Sequence, residues 1–125
     1  MTTNSERTAA GTATGTTDFT IIPDIAGMVA AITPDSIVSR TVYQGSTLRI
    51  IVFGFAAGQE LSEHTSSKEA VLHFLRGEAT VTLGKTAEGG ETTTAKAGTV
   101  IRMRPGLAHS VYAVTDTLML LSMMG

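Results

Sequence analysis

The three histidines of this chain fall within two stretches of similar layout. The first stretch, GQELSEHTSSKEAVLHFLRG, runs from Gly58 to Gly77 and holds His64 and His73. The second, GTVIRMRPGLAH, runs from Gly98 to His109. Each combines a glycine turn, a strand-like run and a histidine. If the strands are neighbours in a closed sheet, the histidines can converge on one interior point. This feature constrains the fold more than any other.

From residue 36 onward the chain is a succession of short strand-like runs. These runs are β-branched or alternate in polarity, and glycine-containing turns separate them. They include SIVSRTVYQ, TLRIIVFGF, EAVLHFL, ATVTL, TTTAKA, SVYAV and LMLLSMM. Almost nothing in this part has helical spacing. The pattern predicts an all-β fold, either a sandwich or a barrel of the jelly-roll type.

The N-terminal part has a different composition. Residues 1–17 are almost all small or polar and bury too little apolar surface to offset the entropy of ordering. They predict a disordered leader, with an arm that orders against a partner subunit as the alternative. After a short FTII strand, IPDIAGMVAAI has the spacing of one or two amphipathic helical turns. We expect this segment to form a lid over the edge of one folded domain, residues 18–125.

Composition excludes several classes of function. The net charge is −2 and the nine Lys and Arg are scattered, so we expect neither a nucleic-acid nor a membrane partner. The chain has no cysteine, which excludes disulfides and thiolate metal sites and fits a reducing compartment. No apolar run is long enough to span a bilayer. These features predict a cytoplasmic protein.

The first stretch resembles the first signature motif of the cupin superfamily. That motif opens with glycine, places a His-x-His pair after five residues, continues to a glutamate and closes with glycine. Here five residues separate Gly58 from His64, and Gly77 closes the motif. Two family positions differ, because Ser66 stands for the second histidine and Ala70 for the glutamate.

The second stretch resembles the second cupin motif, a glycine followed by a Pro-x-Gly turn and a histidine. Gly98 and His109 keep its overall spacing, while Pro105-Gly106 is shifted by one position. The resemblance covers residues 36–125. It implies a small single-domain cupin of the RmlC-like type, with a double-stranded β-helix (jelly-roll) barrel and a short N-terminal helical or irregular segment.

The resemblance also implies a possible metal centre. Metal-binding cupins use three histidines and the motif glutamate, and this chain matches two of these positions, His64 and His109. Divalent first-row metals usually take three or four protein ligands. Glu69 or His73 are candidates to complete the set. The metal would be Zn, Fe, Mn or Ni, and the alternative is that none is bound.

Strand parity decides whether Glu69 and His73 can face the interior and act as metal ligands. If Ala70 faces the barrel interior, so do Leu72 and Phe74, and His73 faces outward. A bulge just before this strand would reverse the parity and bring Glu69 and His73 inward. The sequence leaves both alternatives open.

Three functions follow from the resemblance. The first is binding of a small molecule, with or without a divalent metal, around His64 and His109. The pocket is expected to be lined by Ser66, Leu72, Phe74, Met103 and Tyr112. The second is a metal-dependent enzyme of the dioxygenase, isomerase or decarboxylase type. The third is a dimeric scaffold or regulatory module. A homodimer is expected because TLRIIVFGF is apolar on both faces.

Two arginines near the second stretch have alternative roles. Arg102 and Arg104 alternate with apolar residues, which is typical of the surface of a strand. In the functional interpretation, one guanidinium meets a carboxylate substrate at the pocket mouth.

Overall fold

The structure is a computed structural model that describes residues 14–15 and 18–125. These residues form eleven β-strands and no α-helix, which confirms the predicted all-β class. The strands are β1 (Thr14–Gly15), β2 (Thr20–Ile21), β3 (Ile37–Gln44), β4 (Leu48–Phe55), β5 (Glu60–His64), β6 (Glu69–Arg76), β7 (Glu78–Leu83), β8 (Glu91–Lys96), β9 (Val100–Met103), β10 (His109–Ala113) and β11 (Thr117–Met124). Single 3₁₀ turns lie at Ala26–Met28 and Thr86–Glu88.

Two antiparallel sheets form the barrel. The five-stranded sheet has the order β3-β4-β11-β6-β9, and the four-stranded sheet has the order β5-β10-β7-β8. From β4 to β11 the chain crosses between the sheets at every connection except the β7–β8 hairpin. This is the jelly-roll arrangement that the resemblance implied. Within residues 14–15 and 18–125, no helix has the length and apolarity needed to cross a bilayer.

The core fills the space between the two sheets. On β6, Ala70, Leu72 and Phe74 are at most 3% exposed, whereas the alternate residues Val71 and His73 are only half-buried. The first of the two parity alternatives is therefore the observed one. The inner face of the four-stranded sheet contributes fully buried side chains from β7, β8 and β10. Burial of each large side chain contributes about 1.5–3 kcal/mol, so this layer dominates the stability of the barrel.

Gly77 carries the chain from one sheet to the other. It is the single residue between β6 and β7, and its φ of +90° lies in the left-handed region. A Cβ at this position would collide with the backbone carbonyl oxygen of Asp116 and lie 2.7 Å from the Cα of Thr117. The closing glycine of the first motif is thus required by backbone geometry and by space.

The N-terminal segment packs on the outer face of the five-stranded sheet. Met28, at the end of the 3₁₀ turn, is 5% exposed and lies against Val52 and Leu118. Gly54 makes room beside them, since a Cβ there would meet the side chains of Ile32 and Val29. The expectation of a lid over the barrel edge is wrong. The segment covers part of the outer face of β4, which the sequence had assigned to a subunit contact.

The predicted leader falls largely outside the described part of the chain. Within residues 1–17 the structure describes only Thr14 and Gly15, which pair with Ile21 and Thr20 as a two-stranded ladder.

Candidate functional site at the mouth of the barrel

Two histidines meet at one end of the barrel. His64 is the last residue of β5 and His109 is the first residue of β10, and the antiparallel register places them directly opposite each other. Their ring centroids lie 4.3 Å apart with an angle of 57° between the ring planes. We call this end the mouth, because β5 and β9 end there and β6 and β10 begin there. The structure thus brings together the two motif histidines.

The same kind of backbone hydrogen bond orients each of the two rings. Nδ1 of His64 lies 2.8 Å from the carbonyl oxygen of Ser62, and Nδ1 of His109 lies 3.0 Å from that of Leu107. A carbonyl can only accept, so each Nδ1 carries the proton and donates it. In the neutral rings Nε2 is then the unprotonated nitrogen. Each ring presents a lone pair at Nε2.

The two rings differ in their environment. His109 is 7% exposed, while His64 is exposed. Burial lowers the pKa of His109, the hydrogen bond to Leu107 opposes this shift, and the neighbouring His64 lowers the pKa further. At neutral pH His109 is therefore a neutral imidazole that can accept a hydrogen bond or a proton.

Glu69 and His73, the two candidates for a further metal ligand, lie away from the pair. Both are on the outer face of β6. The carboxylate of Glu69 accepts a hydrogen bond from Nε of Arg102 at 2.6 Å, and this ion pair is largely exposed. His73 lies between Leu120 and Val100 in the outer surface of the sheet. Because Ala70, Leu72 and Phe74 face the interior, strand alternation keeps both side chains out of the barrel.

The donor set does not fit a resident metal with three or four protein ligands. Among the residues that the structure describes, no group of three His, Cys, Asp or Glu side chains could hold an ion. Ser66, at the position of the second motif histidine, accepts a hydrogen bond at Oγ from the backbone N–H of Lys68. The chain supplies two imidazole donors at the mouth.

The predicted pocket residues divide into two groups. Leu72, Phe74 and Met103 face inward and are at most 2% exposed, so they form the apolar floor of the barrel. Tyr112 does not line the interior. It is 43% exposed, because alternation along β10 places Val111 and Ala113 inside.

The loops at the mouth are tied to each other. The backbone carbonyl of Ser66, between β5 and β6, accepts a hydrogen bond from the N–H of Gly106, between β9 and β10, at 2.7 Å. The two loops follow His64 and precede His109, so this bond fixes the rim beside the pair.

Glu63 fixes a third part of the rim. Its carboxylate accepts hydrogen bonds from the backbone N–H of Thr86 at 3.0 Å and from its hydroxyl at 2.9 Å. These two bonds, with the nearby Lys85, lower the pKa of Glu63. The residue next to His64 on β5 therefore anchors the β7–β8 connection.

A cavity that the sequence did not predict opens at the same end. It measures about 350 Å³ and is lined by the β3–β4 turn, the β5–β6 loop and the end of β11. Two cations, Arg49 and Lys68, lie in its wall, together with the half-buried Ser66. Strand alternation places Arg49 on the same face of β4 as Ile51 and Phe53, so parity was the available sequence signal. Arg102 and Arg104, the arginines considered from sequence, instead bond to Glu69 and to the carbonyl of Pro105.

Comparisons with known proteins agree with this architecture. The sequence profile described as "Cupin domain" matches residues 51–124. A conserved protein of unknown function from Streptococcus pyogenes, SPY1581, is 35% identical over 75% of this chain and 78% of its own, with a TM-score of 0.67. An RmlC-like cupin protein from Desulfovibrio desulfuricans is 29% identical over 77% of this chain and 91% of its own, with a TM-score of 0.65.

A third solved structure is similar in fold alone. It is a cupin superfamily protein from Desulfitobacterium hafniense, 19% identical over 80% of this chain and 86% of its own, with a TM-score of 0.72. Among curated proteins, none matches this sequence. The match over more than half of the chain, the jelly-roll topology and the paired motif histidines together show that the chain belongs to the cupin family.

Proposed function

We propose that this cupin binds a small organic molecule at the mouth of its barrel, with His64 and His109 as the hydrogen-bonding and proton-transfer groups. The observation that carries the proposal is the shared anchoring of both Nδ1 atoms on backbone carbonyls. It leaves two neighbouring Nε2 lone pairs without a hydrogen-bond donor among the described residues. Polar atoms of this kind above an apolar floor are typical of small-molecule sites.

The buried and exposed members of the pair have different roles in this proposal. His109 is neutral and shielded, so it accepts a hydrogen bond or a proton from a ligand group. His64, on the solvent side, contacts the ligand from the other side. Leu72, Phe74 and Met103 pack in the barrel core and give the inner side of the site an apolar environment.

A fragment screen read by NMR tests the proposal. Bound fragments are expected to shift the imidazole ¹⁵N signals of His64 and His109, and both His64→Gln and His109→Gln are expected to abolish those shifts. His73→Gln is the matched control, because His73 lies on the outer face of β6. Fragments that bind the two pair variants as well as the wild type, or that shift only distant signals, would overturn the proposal.

A metal-dependent enzyme is the second candidate function. The observation in its favour is again the Nδ1 anchoring, since histidines that bind metals are commonly oriented by a hydrogen bond from the other ring nitrogen. The described residues offer no third protein ligand, so water or the bound molecule would fill the remaining positions. The test is metal analysis of untagged protein, followed by titration with Zn, Fe, Mn and Ni. Absence of stoichiometric metal and of rebinding would exclude this candidate.

We also propose that the chain forms a homodimer through the outer face of its five-stranded sheet. Val100 and Met124 are 59% and 37% exposed on this face, and the half-buried Ile50 and Leu120 add to its apolar area. A second copy would cover the part that the N-terminal segment leaves open. Light scattering at micromolar concentration tests this, and a monomer would contradict both the dimer and a scaffold role. The cytoplasmic location and the absence of nucleic-acid partners stay predictions from composition.

A further inference from the structure

Arg49 is an exposed cation at the mouth, at a β4 position that belongs to the inner face of the sheet. Its neighbours at two-residue spacing on β4 are Ile51 and Phe53, whose strand partners face the core. Its Nη2 donates a weak hydrogen bond to the hydroxyl of Thr41, also on the inner face of the sheet, at 3.5 Å. A guanidinium has five N–H donors, so most of its hydrogen-bonding capacity remains available.

Lys68 is the second cation of the cavity. Its Nζ donates to the backbone oxygen of Gly125 at 3.2 Å, which uses one of three ammonium donors. Among the described residues that line the cavity, no side chain is a carboxylate. The described ion pair, between Arg102 and Glu69, lies on the opposite face of the sheet. Arg49 therefore faces no acidic side chain in the cavity wall, while Lys68 is already bonded to a main-chain oxygen of Gly125.

The cavity lies at the same end of the barrel as the histidine pair. Its wall includes Ser66, which follows His64 by two residues and whose carbonyl bonds to Gly106 across the rim. Met123 also lines it and belongs to the partly buried residues packed on the barrel core. A volume of about 350 Å³ is at the lower end of the range for small-molecule sites.

From these observations we infer that the ligand of the barrel mouth is a small organic acid, whose carboxylate is held by Arg49 and Lys68 while its remaining atoms extend towards His64 and His109. The inference rests on the proposed function and names the ligand class of that site. A guanidinium matches a carboxylate with two parallel hydrogen bonds, and the ammonium adds a charge-assisted bond.

The experiment compares succinate, acetate and benzoate with the uncharged succinamide and with inorganic phosphate, by NMR titration of the full chain. We expect saturable binding of carboxylates that shifts both the Arg49 side-chain Nε–H signal and the imidazole signals. Succinamide is expected to bind at least about tenfold more weakly than succinate, because charge-assisted hydrogen bonds are lost. Added salt should weaken the binding, because both cations are exposed to solvent.

Matched variants assign the binding to the cavity. Arg49→Gln and Lys68→Gln are each expected to weaken succinate binding about tenfold or more. Arg102→Gln, which removes an arginine from the outer face, is expected to leave it unchanged. Equal binding of succinate and succinamide, no effect of Arg49→Gln, tighter binding of phosphate than of any carboxylate, or no saturation by any of the three acids would each overturn the inference.

The same data separate this inference from the proposed function. If uncharged fragments shift the histidine signals while the affinity for carboxylates does not depend on Arg49, the proposed function stands and the anion site is rejected. Carboxylates that depend on Arg49 but leave both imidazoles unshifted, with unchanged affinity in His109→Gln, would retain the anion site and remove the proposed function.

Discussion

His64 and His109 face each other across the β5–β10 ladder with ring centroids 4.3 Å apart, and each donates its Nδ1 proton to the carbonyl two residues earlier. The backbone that pairs the strands thus also fixes the tautomer of both rings. Two imidazoles at this distance share a local field, so a proton on one disfavours a proton on the other. This coupling adds to the effect of burial in lowering the pKa of His109.

His109 should take up a proton only below the ordinary histidine pKa of 6.5, because burial lowers its pKa. An NMR pH titration of the imidazole ¹⁵N signals measures this directly. In the neutral form, both His64 and His109 should show the protonated nitrogen at Nδ1. A His109 that titrates at or above 6.5, or carries its proton at Nε2, would contradict the described geometry.

The same shift predicts how folding stability depends on pH. The unfolded chain protonates His109 near pH 6.5, whereas the folded chain does so only at lower pH. The contribution of neutral His109 is therefore fully present above 6.5 and is lost as the pH falls towards the folded pKa. Chemical denaturation between about pH 5 and 7.5 should show a smaller pH dependence for His109→Gln. His73→Gln is the control. Its free energy of unfolding should keep the part of the pH dependence that comes from His109.

Gly77→Ala should destabilise the protein by at least ~2 kcal/mol, because it combines a left-handed backbone with a collision against Asp116. Gly98→Ala is the matched comparison. Gly98 has a similar φ of +95°, but a Cβ there would meet nothing within 4 Å. Its cost should be only that of the backbone conformation, about 1–2 kcal/mol. Equal losses in urea denaturation would show that the contact with Asp116 is relieved cheaply.

Met28→Ala should cost about 2–4 kcal/mol in the free energy of unfolding, because Met28 is 5% exposed and fills a space above Val52 and Leu118. Val100→Ala, at a position that is 59% exposed, should change stability by less than ~1 kcal/mol in the monomer. If Met28→Ala has no effect, the N-terminal segment does not contribute to the folded core.

Glu63→Gln should loosen the connection between β7 and β8, because the charged oxygen that accepts two hydrogen bonds from Thr86 is lost. Amide hydrogen exchange at Thr86 should accelerate several-fold, while exchange in β10 stays unchanged. Glu60→Gln, on the same strand, is the control. In the wild type, this protection should fall as the pH drops below the ordinary carboxyl pKa of 4.5, since the folded pKa of Glu63 is lowered.

Strand parity explains much of what the sequence could and could not predict. Alternation along β6 correctly predicted that Ala70, Leu72 and Phe74 share one face. Whether that face is the inner one could not be predicted, because a bulge before the strand would have reversed the parity and bulges have no sequence signal. Counting from His109 along β10 places Val111 inside, and the same alternation turns Tyr112, an expected pocket residue, outward. Alternation likewise places Arg49 on the same face of β4 as Ile51 and Phe53. Only the assembled sheets, however, show that this face is the interior.

The N-terminal segment was misplaced for a different reason. Its spacing indicates a short amphipathic turn, and the structure contains one at Ala26–Met28. The surface that receives it is made by Val52 and Leu118, which are far away in sequence. A local sequence pattern cannot predict a packing surface made by such distant residues. Gly54, a glycine in an apolar strand, was the available hint of a close approach.

The repeated crossing of the chain between the two sheets has a kinetic consequence. Nearly all strand partners from β4 to β11 are distant in sequence, and folds dominated by such pairings fold slowly. The β5–β10 ladder is one of these long-range pairings. The histidine pair therefore depends on contacts between distant parts of the chain, and its NMR signals should report the formation of the barrel rather than of a local hairpin.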